Sequence, residues 1–226
     1  MSIIPKPCQT AGNFRSRHAP QTLADLVWPT QSAKDLVQDY VDGHIGGHLL
    51  LHGPNGTGKT SICKMVPYAM TGNPNIKHDT LIVNASNVTT KAKLIPQIRN
   101  FALTMPLNVD ENFRFILLDE ADGMDKAAQD ASKGIIDEFG HVVRFLITTN
   151  HLHKIDGGIQ SRCHVQEIGH CRPSDFRPLA KRILRAEKIP LGKVNLTQAL
   201  DDGAGEGRKT MQQFERLVAR NRRNNP

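Results

Sequence analysis

A glycine-rich segment offers the clearest chemistry in this chain. Residues 53–60 read GPNGTGKT and fit the GxxxxGK[ST] pattern, directly after an apolar run and directly before a helical pattern. Glycines in such a loop let backbone N–H groups surround phosphate oxygens, and the following helix directs its positive end at the same anion. The segment therefore predicts a nucleotide phosphate site. Its predicted binding residues are Gly53, Pro54, Asn55, Gly56, Thr57, Gly58, Lys59, Thr60 and Ser61.

Two residues of this loop have individual predicted roles. Lys59 is expected to reach the β- and γ-phosphates and to take part in catalysis. Thr60 supplies a hydroxyl for Mg²⁺, which bridges the phosphates and offsets charge that develops during transfer. A bound nucleotide and Mg²⁺ are therefore the expected cofactors.

A pair of acids follows a second apolar run, FILLDE at residues 115–120. A P-loop enzyme needs a carboxylate for the metal at the end of a buried strand, so Asp119 is predicted on the metal side with Thr60. Glu120 is predicted to orient or deprotonate the attacking water. The alternative is a core strand that ends in solvated acids.

Residues 119–122 also spell DEAD, the box that names a group of helicases. A helicase of that group needs a second RecA-like domain with its own arginine motif. One P-loop in 226 residues does not supply that domain, and we set the helicase interpretation aside.

The composition describes a globular chain of one or two domains, with 38% hydrophobic and 23% charged residues. It excludes disordered and fibrous classes. The 4 cysteines form no CxxC pair, so neither a disulfide framework nor a structural zinc site is indicated, and a reducing compartment is expected. We expect no membrane partner, because no apolar run approaches the roughly 20 residues of a membrane span, and no export signal, because the start MSIIPKPCQT lacks a basic region followed by an apolar stretch.

The positive charge is concentrated in the C-terminal part of the chain. Residues 1–150 hold 14 basic and 14 acidic residues, whereas residues 151–226 hold 15 and 8, so the whole excess of +7 lies after residue 150. A basic domain attracts polyanions and is typical of nucleic-acid binding, although a solvated surface explains charge equally well.

Short apolar runs alternate with amphipathic stretches, which predicts an α/β domain with a mostly parallel sheet covered on both faces. Strands are predicted at 48–52, 81–84, 113–119, 142–150 and, more weakly, 164–168. Helices are predicted at 32–42, 59–70, 91–103 and 126–139. A smaller helical domain over 171–226 is predicted to follow the domain over 1–170. It has helices at 174–188, with Ser174 as N-cap, and 209–220, and then a frayed basic tail.

Several motifs together resemble those of one family. VVRFLITTN, which ends in Asn150, is similar to a sensor 1 strand, and Ser161-Arg162-Cys163 follows eleven residues later, after KIDGGIQ. GEGRKTMQQFERL, with Arg208, is similar to a sensor 2 helix. These motifs resemble the AAA+ small subunits of sliding-clamp loaders, including replication factor C and its phage counterparts. The resemblance extends over about residues 15–220, although His18 stands where that family usually has tyrosine.

The resemblance implies an AAA+ fold, a P-loop three-layer αβα core followed by a small helical lid domain. It also implies residue roles. Asn150 would hold the lytic water or the γ-phosphate, the alternative being an asparagine that merely ends a strand. Arg162 would be an arginine finger for the neighbouring subunit's ATP, the alternative being a surface arginine. Arg208 would contact the γ-phosphate in its own subunit, and Lys209 could share that role.

The implied activity is hydrolysis of ATP, with Mg²⁺, at the subunit interfaces of a homo-oligomer or of a hetero-oligomer with related AAA+ subunits. The oligomer would grip and release primed or duplex DNA without reading its sequence, in the cytoplasm, nucleoid or nucleus, wherever replication occurs. A sliding clamp is a possible partner. Candidate DNA phosphate contacts are Lys91, Lys93 and Arg99, with solvated side chains as the alternative.

Two departures from the family leave alternatives open. No collar domain follows the lid, so the chain is a minimal form, depends on a partner with a collar, or is a fragment. Residues 130–134 read DASKG where the family carries a leucine and paired arginines, which leaves the coupling of DNA to ATP open.

A regulator of another DNA transaction, such as a helicase loader or transposition ATPase, is the second interpretation. A non-catalytic ATP-binding scaffold is the third.

Overall fold

A computed structural model of the chain describes residues 13–87, 90–104 and 113–224. These residues form two compact units, one over 28–170 and one that combines 13–27 with 171–224. The sequence-based division placed residues 1–170 in a single domain, whereas 13–27 group with the C-terminal helices. The reason is apolar packing, because Phe14 is buried in one cluster with Phe176 and Phe214.

The larger unit, which we call the αβα unit, is built on a five-stranded sheet. The described strands are β1 (His48–His52), β2 (Thr80–Asn84), β3 (Arg114–Asp119), β4 (Val143–Thr149) and β5 (Cys163–Glu167). Their order is β2-β3-β4-β1-β5, and every neighbouring pair is parallel. The prediction of a parallel sheet is confirmed, and each strand lies within one residue of its predicted bounds.

Helices cover both faces of this sheet, as a sheet of apolar strands requires. They are α2 (Gln31–Val41), α3 (Lys59–Thr71), α4 (Lys91–Leu103), α5 (Lys126–Phe139) and the short α6 (Gly157–Gln160). On one face, Leu94 and Ile98 of α4 and Ile135 of α5 pack in a single core cluster with alternate strand residues such as Ile116 and Phe145. None of the helices in the described part of the chain is long and apolar enough to cross a membrane.

The smaller unit, which we call the helical unit, contains no strand among its described residues. Its helices are α1 (Phe14–Arg17), α7 (Arg177–Ala186), α8 (Leu196–Gly203) and α9 (Gly207–Asn224). The sequence patterns did not predict α8.

Two predictions about the ends of these helices are wrong. Ser174 is not an N-cap, because it lies inside a 3-10 turn (Pro173–Phe176) and α7 begins only at Arg177. The prediction of a frayed tail after Arg220 is also wrong, because α9 continues to Asn224, the last described residue. Arg222 on this last turn pairs with Glu187, whose side chain is 4% exposed, so the tail has a buried anion to bind.

One buried histidine on β1 makes the stability of the αβα unit depend on pH. The Nδ1 atom of His48 accepts the backbone N–H of Phe145 at 3.3 Å, and its ring lies edge-on against the Phe145 ring. Burial, followed by the nearby Arg144, lowers the pKa of His48 to about 4. The ordinary histidine pKa is about 6.5, so the unfolded chain binds the proton more tightly between these values.

We therefore expect this contribution of His48 to be fully present above pH 6.5 and to be lost as the pH falls toward 4. Between pH 7 and pH 4.5 about 2.5 kcal/mol of this contribution is lost. Urea unfolding of the unaltered chain and of His48→Asn at pH 7 and pH 4.5 measures this loss. The difference in the free energy of unfolding between the two proteins should be smaller at pH 4.5 by that amount. His44→Asn, which removes an exposed histidine paired with Asp39, is the control. An unchanged gap for His48→Asn would contradict the prediction.

Candidate functional site

The glycine-rich loop leaves the end of β1 in a backbone path that only glycine takes without strain. Gly53 has φ +136°, and a Cβ there would lie 2.3 Å from the carbonyl oxygen of Ile168. Gly58, with φ +99°, is the N-cap of α3. A side chain at either position would push the loop away from β5 or misalign the start of α3. The loop therefore presents the N-terminus of α3 at the carboxyl edge of the sheet, as the sequence predicts.

Lys59 occupies the inside of this loop. Its side chain is buried, and Nζ donates to the carbonyl oxygens of Gly53 and Pro54 at 2.7 Å each. Both acceptors belong to the loop, so the ammonium is held where the predicted phosphates would lie. A positive charge fixed at a helix N-terminus is suited to binding a polyphosphate.

The two predicted magnesium residues are adjacent. Thr60 Oγ1 donates to Asp119 Oδ1 at 2.7 Å, and Thr148 Oγ1, on β4, donates to the same oxygen at 2.5 Å. A hydroxyl and a carboxylate are the hard oxygen donors that Mg²⁺ prefers, and this ion usually keeps phosphate and water ligands besides one or two protein groups. These residues therefore fit the ion. No group of three or more His, Cys, Asp or Glu that could hold a metal occurs in the described chain.

Glu120 follows Asp119 in a left-handed backbone conformation with φ 56°. This conformation costs a non-glycine residue free energy, and it recurs at sites where a side chain must be aimed. The Glu120 N–H donates to Thr148 Oγ1 at 3.1 Å, which stabilises the turn. Asn84 Nδ2, at the end of β2, donates to Glu120 Oε2 at 3.3 Å. Asn84 is the last residue of β2, and α4, which carries the candidate DNA contacts, begins seven residues later at Lys91.

Asn150 lies at the end of β4, between the strands that carry the loop and the acids. The carboxylate oxygen Asp122 Oδ1 accepts the Asn150 N–H at 3.1 Å and the Thr149 hydroxyl at 2.9 Å. Burial raises the pKa of Asp122, but the hydrogen bonds from Thr149 and Asn150 outweigh it and hold this pKa below its ordinary value. The Asn150 side-chain amide makes no hydrogen bond within the described residues. Asp122 thus fixes the backbone at Asn150 and leaves the amide available.

Arg162 follows α6 and forms a bidentate ion pair with Asp137 of α5. Its Nε and Nη2 atoms donate to the two carboxylate oxygens at 2.7 and 2.8 Å, and Nη1 donates to the Gly158 carbonyl at 2.7 Å. The hydrogen bonds to Asp137 raise the pKa of Arg162, and those from Arg162 lower the pKa of Asp137. Three of the five N–H groups are used, so one on each terminal nitrogen remains for an external acceptor.

The remaining predicted residues lie on other elements than those that carry this site. Arg208 is exposed on the first turn of α9, in the helical unit, and Lys209 beside it pairs with Glu206 at 2.6 Å. Lys91 and Lys93 are exposed on the first turn of α4. Arg99 donates to both carboxylate oxygens of Glu138 at 2.8 and 2.7 Å, so its guanidinium is already engaged.

Sequence reasoning missed four positioning residues of this site, namely Asn84, Asp122, Asp137 and Thr148. Asp122 lies inside the DEAD run and Thr148 in the polar end of an apolar strand, so both carried a weak local signal. Asp137 is 25 residues from Arg162 and Asn84 is 36 residues from Glu120, and their sequence surroundings do not indicate these partners.

Curated proteins similar to this chain are replication factor C subunits. Replication factor C subunit 3 of Schizosaccharomyces pombe is 30% identical over 198 residues, which are 86% of this chain and 56% of that protein. Human replication factor C subunit 5 is 29% identical over 195 residues, 86% of this chain and 57% of that protein. The replication factor C small subunit of Methanocella arvoryzae is 29% identical over 199 residues, which are 88% of this chain and 61% of that protein. The chain thus spans a little over half the length of these relatives.

Solved structures with a similar fold come from Thermotoga maritima. The RuvB Holliday junction branch migration motor superposes with a TM-score of 0.70 at 14% identity, over 91% of this chain and 65% of that chain. A DNA polymerase III gamma subunit-related protein superposes with a TM-score of 0.59 at 14% identity, over 83% of this chain and 59% of that chain. At these identities the similarity establishes the fold alone.

The sequence profile of one family matches residues 49–169, more than half of the chain. The match begins within β1 and ends after β5, so it contains the loop, both acids, Asn150 and Arg162. The chain belongs to the AAA family, the ATPase family associated with various cellular activities.

Proposed function

We propose that this chain is a clamp-loader-like AAA+ ATPase of DNA replication, which hydrolyses ATP at the subunit interfaces of an oligomer and thereby grips and releases DNA. The observation that supports this best is the meeting of the Thr60–Asp119 pair, Glu120 and Asn150 along the carboxyl edge of β1, β3 and β4. The replication factor C relatives support the DNA transaction. A second copy or a related AAA+ subunit completes each interface.

In the proposed reaction, Lys59 and the loop N–H groups bind the phosphates of ATP, and Thr60 and Asp119 would hold Mg²⁺. The ion supplies positive charge against the phosphate oxygens. Asn150 orients a water molecule whose oxygen forms a bond to the γ-phosphorus, and Glu120 accepts its proton. The bond between the γ-phosphorus and the β–γ bridging oxygen breaks, which yields ADP and phosphate.

Arg162 acts on the neighbouring subunit's ATP in this proposal. The ion pair with Asp137 orients the guanidinium, while the two remaining N–H groups suit bidentate binding of phosphate oxygens. One chain carries both the phosphate site and the finger, so a homo-oligomer is chemically sufficient. Arg208 is assigned to the γ-phosphate of its own subunit.

The proposed DNA contacts in the αβα unit are Lys91 and Lys93, at the positive end of α4. Arg99 contributes little, since Glu138 already neutralises its charge. In this proposal DNA bound at α4 acts on the catalytic carboxylate through Asn84, which donates to Glu120. The proposal also includes a sliding clamp as partner and a location wherever replication occurs.

ATP turnover per subunit, measured over a series of protein concentrations with and without primer-template DNA, tests this proposal. We expect turnover to rise with concentration and again with DNA. Lys91→Gln/Lys93→Gln should lose most of the stimulation by DNA and keep the DNA-free rate. The control Lys34→Gln/Lys77→Gln removes two exposed lysines of the same unit. It should retain both the stimulation by DNA and the DNA-free rate. Turnover that is indifferent to concentration and to DNA would contradict the proposal.

A further inference from the structure

A groove in the helical unit collects basic residues that the proposed site does not use. It has a volume of about 230 Å³ and lies between α9, α8 and the 3-10 turn Leu191–Lys193. Its lining includes Lys193, Arg216 and Arg220. We call it the α8–α9 groove. Asp202 is the one acid among the lining residues, and its carboxylate accepts the Gln198 amide at 2.8 Å.

The arginines of this groove belong to a stripe along α9. Gln213, Arg216, Arg220 and Arg223 recur at spacings of three and four residues, which places them on one face of a helix. Phe214 and Val218 are buried, so they anchor the helix in the apolar core of the unit. The stripe rises about 5 Å per turn, and its three guanidinium groups therefore extend along roughly 10 Å of the helix axis.

These cations have no partner in the described part of the chain. The side chains of Arg216, Arg220, Arg223 and Lys193 form neither a hydrogen bond nor an ion pair with described residues. In the αβα unit, by contrast, each described arginine has a carboxylate or carbonyl acceptor. These residues are Arg99, Arg114, Arg144 and Arg162. Adjacent unpaired arginines repel one another, so their arrangement favours an external anion.

The chemistry of the groove favours a nucleic-acid backbone over a protein segment. No aromatic side chain is among the lining residues, whereas protein interfaces centre on aromatic anchors and single-stranded binding sites stack bases on aromatic rings. Arginine forks and side-chain amides are the usual donors to phosphodiester oxygens. Gln213 supplies such an amide beside Arg216 and Arg220.

We propose that the α8–α9 groove binds the phosphodiester backbone of DNA, as a second nucleic-acid surface besides the first turn of α4. This surface gives a function to part of the positive charge that is concentrated after residue 150. It requires neither bound ATP nor hydrolysis.

Anisotropy of a fluorescent DNA duplex, titrated with the full chain over a salt series without nucleotide, tests the groove. All proteins carry Lys91→Gln/Lys93→Gln, so that the α4 surface contributes little. We expect Arg216→Gln/Arg220→Gln to weaken binding about 10-fold or more and to lower the salt slope by about 2. The control Arg177→Gln/Arg185→Gln removes two exposed, unpaired arginines of α7 and the same charge, and should change the Kd less than about 2-fold.

Equal losses in the two double variants would overturn the proposal, because they would reveal diffuse attraction by net charge. Stronger displacement of the duplex by poly-glutamate than by unlabelled duplex of equal charge would also overturn it, in favour of an acidic protein partner. The result does not depend on the proposed ATPase, since adding Lys59→Ala should leave the duplex Kd unchanged. Absence of turnover in the unaltered chain, with duplex binding intact, would therefore count against the proposed ATPase alone.

Discussion

Lys59→Ala should bind ATP at least about 100-fold more weakly than the unaltered chain. The ammonium is buried inside the phosphate loop, where each charge-assisted hydrogen bond is worth roughly 1.5–3 kcal/mol, and lysine can donate more than one to the phosphates. Isothermal titration with ATP and Mg²⁺ measures the loss. Circular dichroism must show an intact fold, since the carbonyl oxygens of Gly53 and Pro54 lose a donor in the variant.

Lys64→Ala is the matched control, because Lys64 is an exposed lysine on the same helix. It should bind ATP as the unaltered chain does. Full ATP affinity in a folded Lys59→Ala protein would show that the loop does not bind phosphate through this residue.

Arg162→Ala should retain ATP affinity within about 2-fold and lose roughly 10³-fold in turnover, because an arginine finger stabilises charge in the transition state and not in the bound nucleotide. Turnover must be measured at a concentration where the oligomer persists. Asp137→Ala leaves the guanidinium present but unoriented, and should lose part of the rate with binding intact. Glu138→Ala is its control, since this neighbouring acid pairs with Arg99 instead.

Mixing the two variants tests whether the finger acts between subunits. Lys59→Ala protein retains a finger and Arg162→Ala protein retains a nucleotide site, so some mixed interfaces contain both. An equal mixture of the two nearly inactive proteins should recover about a quarter of the unaltered rate if subunits assemble at random. An inactive mixture of proteins that assemble normally would show that Arg162 does not serve a neighbouring site.

The sheet and the phosphate loop were predictable because their signals are local. Continuous apolar runs such as HLLLH and the GxxxxGK[ST] spacing are readable within a few residues, and the strand bounds agree to within one residue. The partners of the predicted catalytic groups were not predictable. The Arg162–Asp137 and Asn84–Glu120 contacts arise only when the sheet forms and brings distant residues together.

The grouping of residues 13–27 with the helical unit was unpredictable for the same reason. A short segment with one buried phenylalanine carries no period that indicates which core will accept it. Likewise α8 has only eight residues, too few for a helical pattern to be distinguished from a loop.

The single hydroxyl of Thr148 restricts how this site can evolve. It donates to Asp119 and accepts from the Glu120 N–H, while the next two residues, Thr149 and Asn150, are held by Asp122. Inserting or deleting one residue within β4 would turn the Thr148 and Thr149 side chains to the opposite faces of the sheet and break their contacts at once. Relatives that keep the activity should therefore vary in length in the turn before β4, at residues 140–142, and never within the strand.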